Sequence, residues 1–206
     1  MLEAITYDLM LEDIREHKIL TDTIGILFAR PGSKSGKDII ETLPYYHHRS
    51  GKSINFYLPG YGAYWYGTYP DEKNVIVIDQ VQWSFSNQKY VEFIETIEKN
   101  SRWKYSGESE LLILEYAEGK IDYSNVLRFH LDAMLRDNVI PSINIFFENI
   151  FRLASKRRNL IQMRDISGLK MLGQITLDSI LDELPSFFNG VLKKGRYYLL
   201  QDYANY

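Results

Sequence analysis

Along the chain, apolar runs short enough for β-strands alternate with segments whose apolar positions recur every three or four residues. Leu2, Ile5, Leu9, Met10 and Ile14 form an amphipathic stripe, which predicts a helix from Leu2 to about Lys18. Thr23 to Arg30 is a nearly continuous apolar run of strand length, and it ends in the breaker cluster Pro31-Gly32-Ser33-Lys34-Ser35-Gly36. Ile39, Ile40 and Leu43 return to helical spacing within Lys37 to His48, where Pro44 limits or kinks the helix. Ser53 to Leu58 reads as a second strand and Asn74 to about Trp83 as a third. Tyr90, Val91, Ile94 and Ile97 oppose Glu92, Glu95 and Lys99, as expected of a surface helix spanning Asn87 to Arg102. Glu110 to Tyr116, with Leu111-Leu112-Ile113-Leu114 at its centre, is a fourth buried strand.

From Asp122 onward helical periodicity takes over. Val126, Phe129, His130 and Ala133 mark one predicted helix, with His130 inside its apolar stripe. Ile143, Phe146, Phe147, Ile150, Phe151 and Ala154 mark the next, and they carry the strongest helical spacing in the chain. Thr176 or Asp178 caps a further predicted helix that Pro185 and Gly190 end. The expected architecture is α/β. It has a small, mainly parallel sheet of about four strands with flanking helices in residues 1–121, and an α-helical subdomain in residues 122–206 packed on the same core.

Composition narrows the function classes. A chain of 206 residues with 45% hydrophobic positions buries a core without a metal or disulfide staple. The absence of cysteine removes thiol nucleophiles, thiolate zinc sites and cysteine-ligated clusters. The start, with Glu3, Asp8, Glu12 and Asp13 among its apolar positions, does not read as a signal peptide, and the apolar runs are too short for a membrane helix. A cytoplasmic protein that does not enter a membrane is the expectation. The net charge of −3 gives no general case for nucleic acid, but it is unevenly spread. Residues 1–121 carry −5 and residues 122–206 carry +2, with +5 concentrated in residues 152–170 around Lys156, Arg157 and Arg158.

Three places carry candidate chemistry. Gly32, Ser33, Ser35, Gly36 and Lys37 lie between a strand and a helix, where backbone N–H groups and the helix dipole favour an anion. Asp79 ends the run Val75-Ile76-Val77-Ile78, as a magnesium-holding acid does in nucleoside-triphosphate hydrolases. This resembles a P-loop, whose pattern is GxxxxGK followed by Ser or Thr, but Pro31 stands at the first glycine position and Asp38 at the Ser/Thr position. The second place holds nine of the chain's 29 aromatics within residues 45–69. Tyr61, Tyr64, Trp65 and Tyr66 with Arg49 would present rings and charge to a protein partner or stack on the bases or sugars of a small ligand or nucleic acid, and the same rings would serve as core cover. Adjacent His47 and His48 point apart in either regular structure and have no cysteine or spaced carboxylate beside them, so no metal site is expected. The third place is the basic stretch with Lys156, Arg157 and Arg158, suited to a helix C-terminus, to an acidic partner surface or, less favoured because the wider charge is not basic, to nucleic acid.

Two functions of different classes follow. One is a non-catalytic binding or assembly module that engages another protein or a second copy of itself through the aromatic loop and the basic helix. The other is a nucleotide- or phosphate-ligand protein, with an enzyme among its forms, that uses Gly32 to Lys37 as an anion cradle, Asp79 at a strand end and Tyr61 or Trp65 against a base. No complete catalytic constellation is legible, and no family resemblance covers more than the loop.

Overall fold

The computed structural model describes residues 2–16, 21–49, 54–117, 119–152 and 196–205. Strand β1 (Leu2–Ala4) leads into helix α1 (Tyr7–Glu16) and strand β2 (Thr21–Phe28). Helices α2 (Lys34–Glu41) and α3 (Leu43–Arg49) precede β3 (Asn55–Pro59) and β4 (Tyr61–Ala63). The hairpin β5 (Lys73–Ile78) and β6 (Val81–Phe85) is followed by helix α4 (Asn87–Asn100). Strands β7 (Glu110–Ala117) and β8 (Lys120–His130), helix α5 (Leu131–Arg136), a helical segment at residues 143–152 and strand β9 (Tyr198–Gln201) complete the fold.

Six strands form one sheet in the order β1-β3-β2-β7-β8-β9, and three form a second in the order β4-β6-β5. In the large sheet β3 pairs in parallel with β1 and β2, while β2–β7, β7–β8 and β8–β9 are antiparallel. The small sheet is antiparallel throughout. The expectation of a small, mainly parallel, four-stranded sheet is therefore overturned: the α/β class stands, but the main sheet is mixed and mostly antiparallel. The cause lies in the connections. A parallel pair requires a long crossover, which α1 supplies between β1 and β2, and α2 with α3 between β2 and β3. Of the antiparallel neighbours in this sheet, β7 and β8 are joined by a tight turn, which permits only that direction, whereas β7 reaches β2 and β9 reaches β8 through long connections that contain helices. Asp79 and Gln80, at φ 49° and 67°, make the two-residue turn that divides the expected third strand into β5 and β6. Because neither residue is glycine or asparagine, this turn leaves little trace in the sequence.

The expected α-helical C-terminal subdomain is also overturned. Residues 120–130 form β8, whose Ile121, Tyr123, Val126, Leu127 and Phe129 are buried, and β9 pairs along its far edge. The near three-residue spacing of Val126, Phe129 and Ala133 mimics a helix, whereas the true pattern is that of a strand covered on both faces. His130 accordingly ends a strand rather than lying within a helical stripe. At the amino terminus, β1 takes the residues before Tyr7 that were expected to be helical. The helix expected after Thr176 lies outside the described residues.

Both faces of the large sheet are covered. On one, Phe28 packs against Phe93 and Tyr90 of α4 and stacks on Trp103 at 4.9 Å, while Tyr7 of α1 meets Phe93 edge-on. On the other, Phe56 and Tyr46 pack against Phe147 and Phe151, and Phe129 packs against Phe146. The chain passes from the large sheet to the small one at Gly60, whose φ of +76° and closeness to α4 suit only glycine: an added Cβ would lie 2.7 Å from Tyr90 Cβ. Among the described residues, no helix is long and apolar enough to cross a membrane.

Phe28 is fully buried at the meeting of four aromatic side chains. Phe28→Ala should therefore lower the free energy of unfolding by about 3–5 kcal/mol, read from urea denaturation midpoints.

Candidate functional site

The loop between β2 and α2 is built by its own hydrogen bonds. Ser33 is the N-cap of α2, its hydroxyl accepting from the Gly36 N–H at 2.9 Å and donating to the Arg30 carbonyl at 3.0 Å. The buried Ser35 hydroxyl donates to Ser109 Oγ at 2.6 Å, tying the start of α2 to the entrance of β7. A Cβ at Gly36 would lie 1.8 Å from the Arg30 carbonyl oxygen, so glycine is required for the loop to close on itself. Ser33, Ser35 and Gly36 thus have structural work that accounts for their presence. Gly32, where a Cβ would meet nothing, and Lys37 face open grooves.

Asp79 lies elsewhere. It sits in the turn at the far end of β5, about 20 Å along that strand from the residues nearest the loop. There its carboxylate pairs with His48 Nε2 at 3.2 Å, and both side chains are exposed. His47 lies edge-on to Trp83, with ring centroids 5.7 Å apart. The loop, Asp79 and the histidine pair therefore do not converge. Among the described residues, no three His, Asp or Glu side chains are grouped to hold a metal ion.

What the loop does face is the beginning of β5. A cleft of about 780 Å³ is bounded by Arg30, Pro31, Gly32 and Ser33 on one side and Lys73, Asn74 and Val75 on the other, with Phe85, Asp71 and Asn87 completing it. It runs into a smaller groove that shares Pro31, Asn74 and Val75 and is flanked by Lys37 and Glu41. The Arg30 guanidinium stands 5.0 Å from the centroid of the Tyr90 ring, and the Tyr90 hydroxyl donates to that of Tyr105 at 2.8 Å. Asp71 accepts from the Ser86 hydroxyl at 2.6 Å and the Gln88 N–H at 2.8 Å, and the Ser86 contact leads in holding its carboxyl below the usual carboxylate range. None of Arg30, Asp71, Lys73 and Asn74 stands out in the sequence, because each is an ordinary surface residue until the hairpin folds against the loop.

Behind this cleft lies a buried ion pair. Glu110 opens β7 and has no exposed surface; Arg128 Nε donates to it from β8. Arg128 also reaches the Lys104 carbonyl at 3.2 Å, while the Ser106 N–H donates to Glu110 at 3.3 Å. Burial pushes the Glu110 carboxyl up to about 7, against the opposing pull of Arg128.

The aromatic loop divides its side chains between core and solvent. Tyr61 is fully buried and donates to the Ala29 carbonyl at 2.8 Å. Trp65 is 6% exposed and packs edge-on against Tyr69 at 4.8 Å. Tyr64 and Tyr66, by contrast, are 63% and 85% exposed, with left-handed backbone at φ 60° and 49° and ring centroids 6.3 Å apart. The flanking backbone is pinned, since Ala63 N–H donates to Glu3 at 3.0 Å, Gly67 N–H to Glu72 at 2.8 Å and Thr68 N–H to the Trp65 carbonyl at 3.0 Å. Arg49 pairs with Glu148 at 3.6 Å, and Lys156, Arg157 and Arg158 lie outside the described residues.

The chain matches no known protein family, no curated protein and no solved structure. The functional reading therefore rests on its own geometry.

Gly36→Ala should destabilise the fold by about 1–3 kcal/mol in urea denaturation, since the loop must open to admit a methyl group. The ion pair gives a pH dependence of definite sign. Between the ordinary glutamate value and about 7, the unfolded chain has released the Glu110 proton that the native chain retains, so this group lowers stability as pH rises. Relative to Glu110→Gln, the parent chain should lose up to about 3 kcal/mol between pH 4 and 8, measured from paired denaturation curves.

Proposed function

We propose that this chain is a cytoplasmic binding module that engages a protein partner through Tyr64 and Tyr66. The observation that carries the reading is the pair of largely exposed tyrosines on left-handed backbone, anchored on either side by the buried Tyr61 and Trp65. For residues other than glycine, the left-handed region costs about 1–2 kcal/mol each, and here it turns two large rings into water rather than onto the nearby core. Nothing in the packing of the loop uses those rings except each other. A tyrosine offers a partner apolar area with a polar tip and few rotatable bonds to immobilise, which suits it to the centre of an interface. The buried neighbours and the pinned backbone reduce the entropy lost on docking. Of the side chains that sequence suggested for this contact, Tyr61 and Trp65 support the loop from inside, and Tyr64 and Tyr66 are the ones a partner would touch.

The test is a photoreactive benzoylphenylalanine at position 66 of the full chain, expressed in its native cells. It should give one discrete adduct, absent when the same probe sits at the exposed Lys99, and an adduct of twice the chain's mass would make the partner a second copy. Tyr64→Gly should cut the adduct yield severalfold without lowering the denaturation midpoint, because glycine accepts a positive φ. No discrete adduct from position 66, or the same adduct from position 99, overturns the reading.

A further inference from the structure

We propose that the cleft between the β2–α2 loop and the start of β5 binds a small organic anion, its charged group held by Arg30 and Lys73 and its apolar body set against Pro31, Val75 and Phe85. This site is separate from the tyrosine contact and differs from the anion cradle expected of the loop alone, because half of it comes from the hairpin.

Charge is the first argument. Among the described residues, seven lysines and arginines have a carboxylate within ion-pair distance. Arg30, Lys37 and Lys73 have none there, and all three border this cleft or the groove that continues it. Asp71, whose oxygens accept from the Ser86 hydroxyl and the Gln88 N–H at the start of α4, keeps its negative charge, so the cleft walls carry two cations against one carboxylate. That balance leaves the lining of this cleft net positive, which favours a bound anion.

Shape and preorganisation are the second argument. The volume of about 780 Å³ falls within the size range of small-molecule sites. Arg30 is steadied by the Tyr90 face and by a side-chain hydrogen bond to Tyr105, and the remaining donors of its guanidinium are left for a carboxylate or a phosphate. Asn74 accepts the Ser84 hydroxyl through its carbonyl oxygen at 3.1 Å, so its amide NH₂ is the group left to donate. Phosphate and carboxylate share the recognition chemistry offered here.

The experiment is a titration of the isotope-labelled full chain, followed by amide NMR, with phenyl phosphate and benzoate beside phenol, benzamide and inorganic phosphate. At least one of the two organic anions should give saturable shifts at Gly32, Ser33, Asn74 and Asn87, binding about tenfold or more tightly than its uncharged counterpart and than inorganic phosphate. The arm that saturates distinguishes a phosphate from a carboxylate site. Arg30→Ala with Lys73→Ala should weaken binding about tenfold or more, whereas Lys99→Ala with Lys120→Ala, removing the same charge elsewhere, should leave it unchanged. The same spectra report whether each variant is folded. Shifts that do not saturate, equal binding of phenol or of inorganic phosphate, or an equal loss in the two charge variants would falsify the proposal.

Discussion

Strand β2 is hydrogen-bonded on both edges, to β3 in parallel and to β7 antiparallel, and its residues from Thr23 onward are buried on both faces. Every peptide group in such a strand must find a partner within the sheet, because water reaches neither face. The strand is therefore the fixed member to which the rest is registered. Its parallel edge receives the two helical crossovers and its antiparallel edge the β7–β8 hairpin. Its last buried residue, Phe28, gathers the rings that hold α4. The loop that leaves it carries Arg30 and Pro31 to the candidate cleft.

The end of the sheet where this happens concentrates polar groups that the core does not absorb cheaply. Glu110 of β7 and Arg128 of β8 are diagonal neighbours across the ladder there, and their pairing, with the Lys104 carbonyl and the Ser106 N–H, satisfies groups that would otherwise destabilise the interior strongly. Arg30 meets the Tyr90 ring, and the Tyr90 hydroxyl donates a hydrogen bond to that of Tyr105. The result is a gradient from a buried ion pair to an exposed cation. A cleft at the outer end of such a gradient has one rigid wall, in the loop closed on Gly36, and another set by the small sheet, which Phe85 joins to Tyr61 and Tyr90.

The parts of this fold that were legible in the sequence are those whose pattern is self-contained. The run Thr23 to Arg30, the run Glu110 to Tyr116 and the amphipathic segment after Asn87 became β2, β7 and α4 with small changes at their ends. The spacing that begins at Ile143 is helical as far as residue 152. By contrast, β8 alternates at Ile121 and Tyr123 and then places Val126 and Leu127 on successive positions where both faces are covered, so no single period runs along it. The β5–β6 turn was hidden because Asp79 and Gln80 adopt positive φ without glycine.

Sequence by itself determined the α/β class, the places of the strongest elements and the loop in which Ser33 and Gly36 are required, since each of these depends on residues close together in the chain. Tertiary structure alone decided that the sheet is mostly antiparallel, that Tyr61 and Trp65 turn inward while Tyr64 and Tyr66 face water, and that Arg30 and Lys73 share a cleft while Asp79 pairs with His48. The reason is physical. Local spacing sets which way a side chain points relative to its own backbone, but strand direction, burial and the company of charges are set by segments tens of residues away, and they exist only once those segments have packed.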